Sequence, residues 1–140
     1  TRIGDFKHVI LKPNRTEAIQ AIAPNHTGGI DQNFLEQCAM TFSQQTGKPA
    51  FVTLDADGIL ATNGDTITHI PGIKVPPPID IVGAGDSVSA SVVSALCAGA
   101  SLAQAAQLGV IASSITIQQI GTTGTASPDQ IIARFQEIDE

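Results

Sequence analysis

Basic residues and cysteines are scarce in this sequence, and each shortage closes off a class of function. Its 140 residues include 7 Lys and Arg against 13 Asp and Glu, a formal net charge of −6. Arg134 is the only Lys or Arg after Lys74, and no block of like charges occurs. The chain therefore offers no basic face to nucleic acid. Cys38 and Cys97 are the only cysteines, too few for a disulfide framework or a metal motif. They fit a reducing, cytoplasmic setting. Charge is missing altogether from Ser87 to Pro128, yet Ser89, Ser91, Ser94, Gln104, Gln107 and Ser113 interrupt that stretch. No apolar run approaches the roughly 18 residues that a bilayer span needs. The expectation is two helices largely buried inside a protein, with no membrane partner. Internal repeats, low-complexity linkers and a leader-like opening stretch are also missing. The chain starts at Thr1 without Met and is read as a piece of something longer. Hydrophobic residues make up 42% of it, enough for the core of about one domain.

What the sequence does have is concentrated in Ile79-Asp80-Ile81-Val82-Gly83-Ala84-Gly85-Asp86-Ser87, directly after Pro76-Pro77-Pro78. The pattern is an extended arm, a tight glycine turn and the start of a helix. Backbone N–H groups at such a junction lack intrahelical partners and carry the positive end of the helix dipole. They form an anion site. Asp86 sits just inside it. A carboxylate there favours the helix, but beside a bound anion it is repelled unless it takes a proton from a hydroxyl. Anion site and acid together point to phosphoryl transfer to an alcohol.

Upstream, Val9-Ile10-Leu11 is expected as a short buried strand. A short helix is expected from Glu17 to Ala23, with Asn14 and Glu17 in the spacing of a capping box. The functional alternative is that this amide and carboxylate serve a metal–phosphate group. Pro24 to Gly29 is a turn-rich loop in which His26 is expected to be solvated. Phe34, Leu35, Cys38, Ala39 and Phe42 recur at helical spacing, which predicts an amphipathic helix over 31–46, with Asp31 as N-cap and Gly47 as C-cap. Ala50 to Leu54 is the next buried strand. It runs into Thr53-Leu54-Asp55-Ala56-Asp57-Gly58, either a polar turn or a seat for a nucleotide phosphate. Ile59–Thr62 and Thr66–Ile70 flank Asn63-Gly64, a hairpin signal, with His69 expected to be exposed. Residues 73–78 are extended, since residues before proline avoid helical angles.

Two uncharged helices follow, over 85–98 and from Leu102 to about Gln119, the second capped by Ser101. Gly121 to Thr125 is a flexible polar loop. Ser127-Pro128 then starts a last helix that runs to about Gln136.

These motifs stand in an order that resembles the ribokinase-like (pfkB) carbohydrate kinases. Asp80-Ile81-Val82-Gly83-Ala84-Gly85-Asp86 is similar to that family's Asp-Thr-x-Gly-Ala-Gly-Asp signature. Asn14-x-x-Glu17 resembles its Asn-x-x-Glu motif, and Thr53-Leu54-Asp55-x-x-Gly58 its Thr-x-Gly-x-x-Gly nucleotide turn. The resemblance covers essentially all of residues 1–140. It implies an α/β fold, namely the nucleotide-binding and catalytic C-terminal half of a ribokinase-like three-layer sandwich. It also implies an ATP- and Mg²⁺-dependent kinase acting on a sugar or sugar phosphate.

On the matching positions, Asp86 would be the catalytic base and Gly83, Ala84 and Gly85 the anion hole. Asn14 and Glu17 would order Mg²⁺, partly through water. Thr53, Asp55, Gly58, Val110, Ser113 and Ser114 would line the nucleotide. Asp80, Val82, Thr116, Gln119, Gly121 and Thr125 match the positions where many members hold a monovalent cation such as K⁺. The resemblance admits a homodimer. Three departures bear on nucleotide preference: Ile81 for threonine, Asp55 for glycine and Val110 for asparagine. The ending Gly121 to Pro128 looks most like the heptose-phosphate kinases, which are often fused to an adenylyltransferase. The chain has no His-x-Gly-His motif for that second activity. The family needs roughly twice this length for its fold, and its other half carries most sugar contacts. The alternatives are a non-catalytic nucleotide- or anion-binding module, or a pseudokinase.

Overall fold

Short-range capping signals set most of the element boundaries. The computed structural model describes residues 2–139. They fall into two compact units that divide between Ile70 and Pro71.

In the first unit, α1 spans Arg15–Ile22 and α2 spans Gln32–Thr46. Asn14 caps α1 in a capping box with Glu17, and Asp31 caps α2 by accepting the Phe34 N–H. Gly47 ends α2 at φ 68°, as a left-handed C-cap should. Strands β1 (Ala50–Thr53), β2 (Ile59–Thr62) and β3 (Ile67–Ile70) form an antiparallel sheet in the order β1-β2-β3. Residues 11–14 run parallel to β1 through bridges Leu11↔Ala50 and Asn14↔Thr53. The core joins Leu11, Ala18, Leu35, Cys38, Ala39, Phe42, Ala50, Val52, Leu54 and Leu60, all buried. The helical period of the α2 residues and the apolar run of β1 converge on it. Burial holds the Cys38 thiol above its ordinary pKa, so it is a packing residue.

Three expectations change here, and that for His26 is kept with a contact added. Val9 and Ile10 are 40% and 46% exposed, and only Leu11 of that run is buried. This segment pairs on one edge, through two bridges, instead of forming a full strand. The hairpin forms, but its register pairs Thr62 with Ile67, leaving a four-residue loop. Asn63 organises that loop with its side chain, accepting from the N–H groups of Asp65 and Thr66, so no two-residue Asn-Gly turn forms. His69 is half-buried and bonded to the Asp57 carbonyl. His26 lies in an exposed loop, yet its ring stacks on Phe34 at 4.2 Å between centroids.

In the second unit, α3 spans Ala84–Cys97, α4 Leu102–Thr116 and α5 Pro128–Asp139. Ser101 and Gln104 form a capping box at α4, and Ser127 and Gln130 exchange the same pair of bonds at α5. α4 is buried along most of its length, from Ala105 and Ala106 to Ile115 and Thr116, and packs against α3. α3 buries only Val88, Val92 and Ala95, and its Val93 is 59% exposed. The missing charge thus predicts burial correctly for α4 and only in part for α3. α5 has no buried residue. Arg134 ties it to α4, donating to the Ser114 carbonyl and hydroxyl and to Gln118 Oε1. Among the described residues no helix is long and apolar enough to cross a membrane.

Candidate active site

Gly83 is the N-cap of α3, at φ 82°. That conformation costs an L side chain roughly 1–2 kcal/mol. A Cβ there would also sit 2.7 Å from Thr123 Cγ2. Gly83 is thus required twice by the chain itself. Gly85 differs: it lies inside α3 without a left-handed φ, and a Cβ on it would meet nothing within 4 Å. Glycine inside a helix is about 1 kcal/mol less favourable than alanine. Nothing in the described chain repays that cost.

The Ala84 N–H donates to the Ile81 carbonyl at 3.1 Å and the Ser87 N–H to that of Gly83 at 3.0 Å. Between them, the N–H groups of Gly85 and Asp86 have no acceptor among the described residues. Asp86 is exposed, and its carboxylate makes no hydrogen bond there either. The sequence-predicted anion hole therefore has open N–H donors, open space over Gly85 and a free carboxylate beside them.

Asp80 holds the turn that presents this helix end. Its Oδ1 accepts the Val82 N–H at 3.0 Å and its Oδ2 the Gly121 N–H at 2.9 Å. Those two bonds, Val82's foremost, keep its carboxyl below the ordinary value. A carboxyl lowered on folding stabilises the fold above its unfolded pKa, and that contribution is lost as pH falls through the folded value. Asp80→Asn should therefore flatten the acid limb of the urea midpoint plotted against pH. A variant whose acid limb parallels that of the unmodified protein would show that the carboxylate does not anchor the loop.

The loop after α4 is tied down, where the sequence suggested flexibility. Gln119 Nε2 donates to the Thr125 carbonyl at 2.6 Å, and Gln119 Oε1 accepts the Thr125 N–H at 3.1 Å. A Cβ on Gly124 would lie 2.6 Å from the Thr116 carbonyl oxygen, so this close approach needs glycine. Asp80 is thus bonded to Gly121, and Gln119 to Thr125 and, through its own N–H, to the Thr116 carbonyl. Among the described residues the carbonyls of Val82 and Gly121 accept no hydrogen bond. Val110 is buried, Ser113 donates to the Val110 carbonyl, and the buried Ser114 hydroxyl is shared between the Ile111 carbonyl and Arg134.

The remaining candidates lie in the first unit. Asn14 Oδ1 accepts the Glu17 N–H, and Glu17 Oε2 accepts the Asn14 N–H, both at 2.8 Å. The capping box is real, and Glu17 Oε1 has no partner among the described residues. The bridge from Asn14 to Thr53 sets this box beside the turn after β1. In that turn Asp55, standing where the resembled motif has glycine, keeps a left-handed φ of 55°. Gly58 has φ 102° and ψ −138°, open only to glycine. Asp57 is paired with Arg15 at 2.6 Å. Arg15, His69, Thr123 and Gly124 all shape these segments, and the sequence reading assigned a site role to none of them. Their partners lie far along the chain or in irregular loops, so no spacing rule marks them.

Comparison with known proteins bears on the family and the fold. The pattern of the pfkB family carbohydrate kinases matches residues 7–130. The bifunctional protein HldE of Rhodospirillum rubrum is 30% identical over 132 residues, covering 91% of this chain and 25% of its own length. Ribokinase from Thermotoga maritima superposes with a TM-score of 0.76 at 25% identity, over 91% of this chain and 42% of that one. Phosphofructokinase-2 from Escherichia coli, solved in complex with potassium, gives a TM-score of 0.76 at 23% identity, over 98% and 43%. The fold is thus ribokinase-like α/β, as expected, and the chain spans about a quarter of the length of the curated relatives it matches first.

Proposed function

Because the chain belongs to the pfkB carbohydrate kinase family, we propose that it is the catalytic, nucleotide-binding part of a kinase that phosphorylates a hydroxyl of a sugar or sugar phosphate from MgATP. The observation that carries this reading is the contrast between the two glycines at the start of α3. Among the described residues the local geometry requires Gly83, whereas nothing stands within 4 Å of a Cβ added to Gly85. An approaching phosphate would need Gly85 without a side chain, and would find the open N–H groups of Gly85 and Asp86.

Bound MgATP supplies the phosphoryl group. The α3 N-terminus offers preorganised donors for charge developing on the phosphoryl oxygens. Asp86 takes the proton of the attacking hydroxyl. Glu17 Oε1 and the Asn14 amide are free to bond Mg²⁺-bound water, as suits an ion that keeps several waters. Thr53, Asp55 and Gly58 would line the nucleotide, and the family resemblance alone assigns Val110, Ser113 and Ser114 to it as well. The carboxylate of Asp80 with the free carbonyls of Val82 and Gly121 is a donor set suited to K⁺. The ending Gly121 to Pro128, with its resemblance to the heptose-phosphate kinases, favours a phosphorylated heptose as acceptor.

The test is ATP-dependent phosphorylation by the full-length protein over a panel of sugars and sugar phosphates, in K⁺ and in a large organic cation. Turnover is expected on at least one acceptor, faster in K⁺. The 140-residue chain alone is expected to show none, since it matches 42% of the ribokinase chain. MgATP binding without turnover on any acceptor would favour a binding module. No MgATP binding at all would favour a pseudokinase.

A further inference from the structure

Arg15 opens α1 directly after Asn14, and its guanidinium reaches the turn that follows β1. Its Nη2 donates to Asp57 Oδ2 at 2.6 Å and to the Leu54 carbonyl at 3.4 Å. The same turn is held a second time by His69, whose Nε2 lies 2.7 Å from the Asp57 carbonyl oxygen. Between these anchors Asp55 keeps its positive φ. Such backbone persists only where surrounding contacts over-determine it.

The Arg15 and Asp57 side chains are 34% and 70% exposed. Exposed ion pairs contribute little to stability. The effect of this one is positional: it ties the residue beside Asn14 to the turn that ends at Gly58. We propose that Arg15 and Asp57 are a positioning pair, setting the Leu54–Gly58 turn against the Asn14–Glu17 box in the geometry that MgATP binding requires. The inference rests on the reading of those two segments as MgATP-binding.

A rival account is that Arg15 acts through its charge, drawing phosphate towards the turn while Asp57 repels it. The two accounts differ in sign. Positioning makes loss of either partner weaken binding. A field effect makes loss of Asp57 tighten it.

The experiment is calorimetric titration of MgATP into the full-length protein and its Arg15→Gln, Asp57→Asn and double variants. Each single change is expected to weaken affinity about fivefold, and the double change by about the same factor, because the two groups act as one unit. Melting temperatures without nucleotide should stay close to that of the unmodified protein, which separates positioning from a folding defect. Unchanged or tighter binding by Asp57→Asn overturns the proposal, and so does a double variant whose loss is the product of the two single losses. If the unmodified protein itself binds no MgATP, the nucleotide reading falls and this inference with it. Normal binding by the unmodified protein and all three variants overturns this inference alone.

Discussion

Asp86→Asn in the full-length protein is expected to remove phosphoryl transfer while leaving the fold and MgATP binding in place. The side chain is exposed and makes no hydrogen bond among the described residues, so it braces nothing in α3. Asn has the same size and is tolerated at a helix start. It cannot take the proton of an attacking hydroxyl. General-base contributions are typically about 10²–10⁴-fold in rate. The bland alternative is that Asp86 merely complements the helix dipole, worth about 0.3–1 kcal/mol. That alternative gives a slightly less stable protein with near-normal turnover. Turnover and nucleotide affinity of the variant, measured against the unmodified parent, separate the two. A rate within about threefold of the parent, far short of the general-base range, would return Asp86 to the role of a helix-end residue.

Much of this arrangement is legible in the sequence wherever its cause is local. The caps at Asn14, Asp31, Ser101 and Ser127 depend on residues three positions apart, and all four form. The 3.6-residue period of α2 and the apolar run of β1 announce their own burial. Exposure of Val9, Ile10 and the outer face of α3 is not legible in the same way. An apolar side chain is buried only if something covers it, and a local pattern does not say what does. The hairpin is foreseen, but Asn63 wins the competition for the turn by bonding two N–H groups with its own side chain. The candidate site divides along the same line. The glycine turn, Asp86 and the Asn14–Glu17 box can be read from spacing. Arg15 on Asp57 and Thr123 over Gly83 cannot, because those contacts join residues far apart in the chain. At Asp55 the sequence departs from the resembled motif while the backbone keeps the left-handed turn that glycine would supply. Asp is among the few residues that tolerate this conformation.

The anion-hole assignment makes a prediction that runs against ordinary packing logic. Gly85→Ala is expected to raise the stability of the protein and lower its activity. Gly83→Ala, two positions earlier, should lower both. At Gly85 the backbone is helical and a methyl group would meet nothing within 4 Å. Alanine there should add about 0.5–1 kcal/mol through the lower entropy of the unfolded chain and better helix propensity. The same methyl occupies the space over the open N–H groups, where the proposed phosphate must come. Misplacing a reacting group by about 1 Å can cost 10²-fold in rate, so a loss of at least that order is expected. At Gly83 the methyl meets Thr123 Cγ2 at 2.7 Å and forces an L side chain to φ 82°. The left-handed backbone costs about 1–2 kcal/mol and the overpacking roughly 1–3 kcal/mol more. Urea unfolding and turnover of both variants in the full-length protein provide the check. Two helix-end glycines with purely structural roles would show stability and activity falling together in both variants. A Gly85→Ala protein that is more stable and retains full turnover would leave no anion in front of α3. Higher stability with lost activity, confined to Gly85, is what an anion hole requires, because among the described residues nothing stands beside the added methyl that it could disturb.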